Sequence, residues 1–246
     1  MMVTEIHGVL SDAERHEQMR KAIGRFPFLK KRDSVRNYPV SIACYGPSLR
    51  ETWRTIERPI ISVSGAHDFL IERNIVPDWH VEIDPRPHKP LMLTRPNRYT
   101  RYLMASVCHP DFWDILKNLH VSLWHLINDQ ATLDWVKEYH PEGLDSTIGG
   151  GSTVGQRALN VGAAALGFRR FNVYGMDCSF NDLGERHAGP HTGPPESIIR
   201  IDDLYTTPQL LQAANEMRSF LSTMDAEVHF HGDGLLHRMA KGMATI

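Results

Sequence analysis

Short apolar runs with strand-like composition alternate with helical patterns along most of this chain of 246 residues. The runs begin near residues 40, 59, 79, 102, 120, 171 and 227, and a helical pattern follows nearly every one. Strands separated by helices are typical of a parallel sheet, because a parallel crossover needs a long connection. The sequence therefore predicts an α/β fold with a Rossmann-like, mostly parallel sheet flanked by helices.

A capping-box pattern, Ser11 to Glu14, predicts a further helix that extends to about Ile23. A basic and aromatic stretch, residues 25–36, separates this helix from the first strand. We therefore predict an N-terminal helical extension over residues 1–37 and a Rossmann-like domain over residues 38–246. The extension is expected to pack on the domain or on a second subunit of a homo-oligomer.

Composition argues against several classes of protein. The formal net charge of −2 gives no electrostatic reason to expect nucleic acid or an anionic membrane as a partner. No apolar run approaches the length of a membrane span, and the first ten residues lack the features of a signal peptide. The three cysteines are widely spaced in or beside apolar runs, as expected of buried thiols. We therefore expect a cytoplasmic protein.

The turn after the first strand is the first candidate binding element. Gly46, Pro47 and Ser48 connect that strand directly to a helix, and the N–H groups at a helix N-terminus attract anions such as phosphate. Gly46 permits close approach of a ligand, and Pro47 suits the first helical turn. The turn is neither a dinucleotide fingerprint nor a P-loop. An ordinary strand-to-helix connection is the alternative interpretation.

A second element of this kind lies at residues 147–156, where three glycines precede a helix rich in small residues. Ser152 or Thr153 can cap that helix. A flexible linker is the alternative, but the run leads directly into a helix and then a strand. The sequence therefore predicts a phosphate- or sugar-binding loop that contains Gly150, Gly151, Ser152 and Thr153.

Ligands of open parallel sheets bind beyond the carboxyl ends of the strands. Residues that directly follow the predicted strands are therefore further candidates, and most of them are small or acidic. Asp84 and Asp177 could accept hydrogen bonds from ribose or sugar hydroxyls. Glu82 and Asp84 together form a weak candidate site for Mg²⁺, and no other cofactor is predicted. The strand-end candidates are Ser64, Gly65, Asp84, Ser106, Gly175 and Asp177.

Four motifs occur together in a specific order over roughly residues 40–191. They are Gly-Pro-Ser-Leu from Gly46, IVPDWHVEIDP from Ile75, GGGSTV from Gly149 and VYGMDCS from Val173, with a nearby His-Ala pair. This order resembles the motility accessory factor superfamily, whose domain is also labelled 6-hydroxymethylpterin diphosphokinase-like. The chain is similar, more remotely, to bacterial CMP-sialic acid-dependent sialyltransferases.

The resemblance implies that residues 38–246 form a nucleotide-binding transferase domain. It favours a glycosyltransferase that uses a nucleotide-sugar donor, a CMP-activated nonulosonic acid of the sialic or pseudaminic type. The acceptor, a glycan or a protein, stays open. An ATP-dependent diphosphotransferase of the 6-hydroxymethylpterin diphosphokinase type is the second interpretation, and a non-catalytic nucleotide-binding accessory protein is the third.

Two histidines are the candidate catalytic residues. Transfer of a sugar to a hydroxyl needs a general base, and histidine titrates near neutral pH. The superfamily's His-Ala element falls on His187, and His191 follows in the same Gly- and Pro-rich segment. The resemblance therefore favours His187, and solvated loop histidines are the alternative for both.

A metal hydrolase is a further, minor interpretation. His229, His231 and Asp233 resemble part of a metallo-β-lactamase motif, with His237 nearby, and strand alternation would place the first two on one face. That family has a histidine directly after the aspartate, where this chain has Gly234. We therefore predict no metal site here.

Overall fold

A computed structural model describes residues 10–190 and 197–242 of the chain. Its centre is a sheet of eight strands, and two further strands form a separate antiparallel hairpin. In chain order the strands are β1 (Val40–Ala43), β2 (Ile60–Val63), β3 (Trp79–Glu82), β4 (Arg101–Ala105), β5 (His120–Ile127), β6 (Thr147–Gly149), β7 (Arg170–Tyr174), the hairpin β8 (Ile199–Ile201) and β9 (Leu204–Thr206), and β10 (Glu227–His231).

The order of the strands across the sheet is β10-β7-β1-β2-β3-β4-β5-β6. Every neighbouring pair is parallel, which confirms the predicted α/β fold. The helices that cover the sheet are α1 (Asp12–Ala22), α2 (Leu49–Thr52), α3 (Ala66–Ile71), α4 (Asp111–Leu116), α5 (Gln130–Tyr139), α6 (Val154–Asn160), α7 (Pro208–Thr223) and α8 (Leu235–Ala240).

The central strands are buried on both faces. Every residue of β1, β2 and β3 is buried, as expected for parallel strands that are covered by helices on both sides. Trp113, Trp124 and Trp135 are also buried. Helix α6 packs closely on the sheet because Gly162, in its π-helical continuation, lies against the ring of Phe171.

The N-terminal helix α1 packs on the domain, as predicted. Ser11 and Glu14 form the capping box. Arg15 donates to the carboxylate of Asp129 at 2.7 Å and to the hydroxyl of Thr132 at 3.0 Å, at the start of α5. Met19, on the buried side of α1, is 1% exposed. These contacts join the extension to the sheet through α5.

Three short strands were not predicted. Strand β6 begins the glycine-rich loop and pairs with the end of β5. Strands β8 and β9 lie beyond residue 197 and pair with each other as a hairpin. Each of the three has three residues, which is too short for an alternating pattern to be recognised. Within residues 10–190 and 197–242, no helix has both the length and the apolar character that crossing a bilayer requires.

The turn after β7 depends on a glycine. Gly175 has φ of +64°, and a Cβ at this position would overlap the carbonyl oxygen of Cys44, the residue after β1. The same glycine accepts a hydrogen bond of 2.8 Å from the N–H of Gly46. Glycine is therefore required both by the backbone angle and by the close approach of two chain segments.

We expect Gly175→Ala to lower the free energy of unfolding by about 3 kcal/mol or more, since it adds steric overlap to an unfavourable backbone angle. Gly184 is a matched control, because its φ is +72° and no atom of the described residues lies within 4 Å of its added Cβ. Gly184→Ala should cost only about 1 kcal/mol. Urea unfolding measures the free energy of unfolding of both variants. Equal losses in the two variants would contradict the prediction, because they would show that the backbone around residue 175 adjusts to the added Cβ at no cost in free energy.

Candidate functional site

The candidate site lies where the strand order reverses. From β1 the chain proceeds to β2 on one side, whereas β7 later pairs with β1 on the other side. Loops that leave the carboxyl ends of β1 and β7 therefore diverge and form the crevice in which open α/β sheets bind ligands. Gly46 follows β1 and Gly175 follows β7, and both are among the residues that the sequence predicted for the site.

The carboxylate of Asp177 occupies the N-terminus of the helix after β1. Its oxygens accept hydrogen bonds from the N–H of Ser48 at 2.9 Å and from the Ser48 hydroxyl at 2.5 Å. Asp177 is only 5% exposed. Burial raises the pKa of Asp177 and the two Ser48 hydrogen bonds lower it. Burial is the larger effect, and the resulting pKa is about 6. The protein thus supplies its own anion at the position where the sequence predicted a phosphate.

The other N–H groups of the Gly46 turn are also used within the chain. Gly46 donates to Gly175, Leu49 donates to Gly46 at 3.1 Å, and Arg50 donates to Pro47 at 3.1 Å. Pro47 has no N–H. A phosphate could therefore bind this turn only by displacing Asp177.

Side chains of the following helix also order the glycine-rich loop. Gly150 and Gly151 have φ of +79° and +87°, and the side chain of Asn160 donates to the carbonyl of Gly150 at 3.0 Å. The side-chain oxygen of Gln156 accepts from the N–H groups of Ser152 and Thr153 at 2.7 and 3.0 Å. Thr153 is the N-cap of α6, and its capping box with Gln156 confirms the predicted helix start.

Helix α6 begins next to the ends of β1 and β7, although β6, which leads to it, is at the far edge of the sheet. A Cβ on Gly155 would lie 2.5 Å from the terminal methyl of Met176 and 3.0 Å from the sulfur of Cys44. The structure therefore brings the start of α6, just after the glycine-rich loop, to the crevice beside the Gly46 turn.

A compact ion-pair cluster lies beyond β2 and β3. The carboxylate of Asp84 accepts from Arg86 at 2.5 Å and pairs with Lys89 at 3.5 Å, and Lys89 also donates to the hydroxyl of Ser64. Burial of Asp84 raises its pKa, but the hydrogen bonds and charges of Arg86 and Lys89 outweigh that effect and lower it. Gly65, next to Ser64, packs against the ring of Tyr45.

The residues proposed for Mg²⁺ do not fit a metal ion. Glu82 is 3% exposed, and its carboxylate accepts from the N–H groups of Ile83 and Asp84. The carboxylate of Asp84 is directed to Arg86 and Lys89, whose positive charges would repel a cation. Across the part of the chain that the structure describes, no group of three His, Cys, Asp or Glu side chains could hold a metal.

The segment that contains His187 is attached to the Gly46 turn. Arg50 donates to the carbonyl of Ala188 at 2.7 Å and to that of His187 at 3.2 Å, and it forms an ion pair with Glu185. The ring of Tyr45 stacks on His187 with centroids 5.6 Å apart. A cleft of about 380 Å³ is lined by Arg50, Glu185, Arg186, His187, Gly189 and Pro190. His191 lies outside the described residues.

The histidines of the C-terminal motif do not come together as metal ligands. His229 contacts the carboxylate of Glu227 at 2.6 Å, whereas His231 stacks on Tyr174 with centroids 4.3 Å apart. His237 contacts the carbonyl oxygen of Phe230. Each of these three histidines is therefore directed to a different partner.

A buried chain of hydrogen bonds was not predicted. The hydroxyl of Ser106 contacts His125 at 2.8 Å, and His125 contacts His140 at 2.8 Å. Burial lowers the pKa of His125 to about 3, so its imidazole is neutral at physiological pH. Ser106 and His125 have no exposed surface, so this strand-end serine packs inside the protein and does not face a ligand.

Comparison with known proteins identifies the scaffold. The family model described as 6-hydroxymethylpterin diphosphokinase MptE-like matches residues 13–183, well over half of the chain. The chain belongs to this family. The matched segment contains β1 to β7, the glycine-rich loop, Asp84 and Asp177, and it ends shortly before His187.

A solved structure shows the same fold. The MAf glycosyltransferase from Magnetospirillum magneticum AMB-1 aligns with 92% of this chain at a TM-score of 0.62 and 16% identity. This chain spans only 41% of the length of that protein. Among curated proteins, none matches the sequence of this chain. Family and fold together confirm the resemblance indicated by the motifs, and they support a transferase-like function for this MptE-like chain.

The pKa of Asp177 predicts a specific pH dependence of stability. Its ordinary value is 3.8 and its value in the folded protein is about 6, so the folded state binds the proton more tightly. The resulting stabilisation is fully present below about pH 4 and is lost as the pH rises through 6. Relative to Asp177→Asn, the wild type should lose up to about 3 kcal/mol of unfolding free energy between pH 4 and pH 7.

Denaturant unfolding at several pH values measures this difference. Asp225→Asn is the matched control, because the side chain of Asp225 is fully exposed and its removal should leave the pH dependence unchanged. A wild-type minus Asp177→Asn difference that does not vary with pH would contradict the assignment of a raised pKa to Asp177.

Proposed function

We propose that this chain is a nucleotide-dependent glycosyltransferase that transfers a nonulosonic acid from a CMP-activated donor to a hydroxyl of a glycan or protein acceptor. The observation that carries this proposal is the attachment of the His187 segment to the Gly46 turn. Arg50 and Tyr45 hold the imidazole beside the crevice between β1 and β7. A base at this position would be adjacent to a donor bound at the strand ends.

In the proposed reaction the acceptor oxygen forms a bond to the anomeric carbon of the donor sugar. The bond from that carbon to the phosphate oxygen breaks, and CMP leaves with its electron pair. The imidazole of His187 accepts the proton of the acceptor hydroxyl, as a general base near neutral pH can do. Arg186 lines the same cleft and would supply positive charge for the phosphate of the leaving CMP. His191 is the alternative base.

Several of the predicted donor-binding residues already form hydrogen bonds within the protein. A bound donor would have to replace or share these hydrogen bonds. Ser48 donates to Asp177, and the N–H groups of Ser152 and Thr153 donate to Gln156. We therefore propose that donor binding moves or protonates Asp177, so that the phosphate gains the Ser48 amide. Ser64, Gly65, Asp84, Gly150 and Gly151 would then contact the sugar and the ribose.

A second candidate function is ATP-dependent transfer of diphosphate to 6-hydroxymethylpterin. The description of the family favours it, because that name refers to a pterin diphosphokinase. The two reactions use different donors, so ligand binding distinguishes them. A ligand at 100 times its dissociation constant stabilises a protein by about 2.7 kcal/mol, which thermal unfolding detects.

Under the first proposal, CMP and CMP-sialic acid should raise the unfolding temperature more than ATP does. Stabilisation by ATP with magnesium and not by CMP would favour the diphosphotransferase. A third outcome is that CMP stabilises the protein but no CMP is released from CMP-sialic acid with any of a panel of glycan acceptors. This outcome would favour a non-catalytic accessory protein.

His187→Ala is expected to reduce turnover by roughly 10²–10⁴-fold while donor affinity stays nearly unchanged, since a general base acts on the acceptor. His229→Ala is the matched control, because His229 lies on the edge strand and contacts Glu227. His191→Ala should have a smaller effect than His187→Ala. Turnover and donor binding measured on the same preparations test this prediction, and equal, mild losses from all three variants would contradict it.

A further inference from the structure

A second concave surface lies at the opposite ends of the strands, where β3, β4 and β5 begin. It is a cleft of about 630 Å³ lined by fifteen residues, of which five are lysine or arginine and none is acidic. We call this surface the basic cleft. Its five basic residues are Lys30, Arg32, Arg36, Arg98 and Arg101.

The register of the sheet builds one wall of the basic cleft. Trp79 is paired with Arg101, and Arg101 is paired with His120, at the first residues of three neighbouring strands. Residues in register on parallel strands direct their side chains to the same face of the sheet. An indole, a guanidinium and an imidazole therefore stand in one row along this face.

The segment between α1 and β1 builds the other wall. Its Leu29 donates to the carbonyl of Leu123 in β5 at 2.7 Å, and its Arg36 donates to the carbonyl of Gly167 at 2.7 Å. Between these two anchors the segment carries Lys30 and Arg32 along the starts of the strands. The basic stretch that the sequence showed before the first strand is thus fixed next to Arg98 and Arg101.

The charges of the basic cleft are not neutralised by carboxylates. Elsewhere arginines pair with acids, as Arg58 does with Asp78 and Arg170 with Glu227. Within residues 10–190 and 197–242, none of the five basic side chains of the cleft has a carboxylate at ion-pair distance. A concentration of like charge creates a positive potential that attracts ligands of opposite charge.

We propose that the basic cleft binds a small anion that carries two or more phosphate groups. Guanidinium groups match phosphate oxygens in charge and in hydrogen-bond geometry. A volume of about 630 Å³ suits a small molecule, and the chain as a whole, with a net charge of −2, has no positive surplus for a long nucleic acid. The exposed ring of Tyr99, on which Arg98 stacks at 5.0 Å, adds an aromatic surface at the rim.

Isothermal titration of the full chain with inorganic tripolyphosphate tests this assignment. Arg101→Gln should weaken binding roughly tenfold, and the double variant Arg98→Gln with Arg101→Gln roughly a hundredfold, since each removes charge-assisted hydrogen bonds. Arg218→Gln is the matched control, because this exposed arginine of α7 lies outside the cleft. Binding should also weaken between 50 and 200 mM salt. Arg98 and Arg101 are both exposed, so the variants should keep the wild-type melting temperature.

Three results would overturn the proposal: no binding of tripolyphosphate to the wild type, an equal loss in Arg218→Gln, or an unchanged affinity in the double variant. If a single-stranded oligonucleotide bound more tightly than tripolyphosphate, the ligand of the basic cleft would be nucleic acid and not a small anion. The basic cleft and His187 are at opposite ends of the sheet, so His187→Ala should leave tripolyphosphate binding unchanged. Failure of the proposed transferase reaction is therefore distinguishable from failure of anion binding in the basic cleft.

Discussion

The hydrogen bonds between Ser48 and the carboxylate of Asp177 connect the two halves of the sheet at the crevice on which the candidate site depends. One partner follows β1 and the other follows β7, and the carboxylate is almost completely buried. A buried carboxylate without donors would be strongly destabilising, so these two chain segments must stay together. Through the same contact the carboxylate of Asp177 occupies the N-terminus of α2. A ligand that binds there must break hydrogen bonds that stabilise the fold.

The family match and the proposed catalytic base belong to different parts of the chain. Residues 13–183 define the scaffold, with the sheet, the glycine-rich loop and Asp177, whereas His187 follows this segment and is held to it by Arg50 and Tyr45. Members of one fold family can share a scaffold and differ in the reaction that the attached loops perform. Under the proposed function the base therefore lies outside the segment that defines the family, whereas the proposed donor-binding residues lie within it.

The two ends of the parallel sheet differ in how their charged side chains are compensated. The carboxyl ends of the strands carry Glu82, Asp84 and Asp177, all of which are held by hydrogen bonds within the protein. The amino ends carry the basic cleft, whose positive charges lack carboxylate partners in the described structure. Because every strand of this sheet runs in the same direction, the segments that directly follow the strands lie at one end of the sheet and those that directly precede them lie at the other. Under the two proposals, these separate surfaces would bind different ligands.

The sequence by itself determined the alternation of strands and helices, the parallel sheet and the positions of the turns, because these depend on local periodicity and on where glycine and proline stand. It also narrowed the N-cap of α6 to Ser152 or Thr153, and the structure shows that Thr153 is the cap. Only the tertiary structure decided which groups meet. Ser48 and Asp177 are 129 positions apart, and Arg50 and Ala188 are 138 apart. The basic cleft likewise combines residues from the segment before β1 with the first residues of β3, β4 and β5. Such partners follow from strand order and register, which local sequence patterns do not encode.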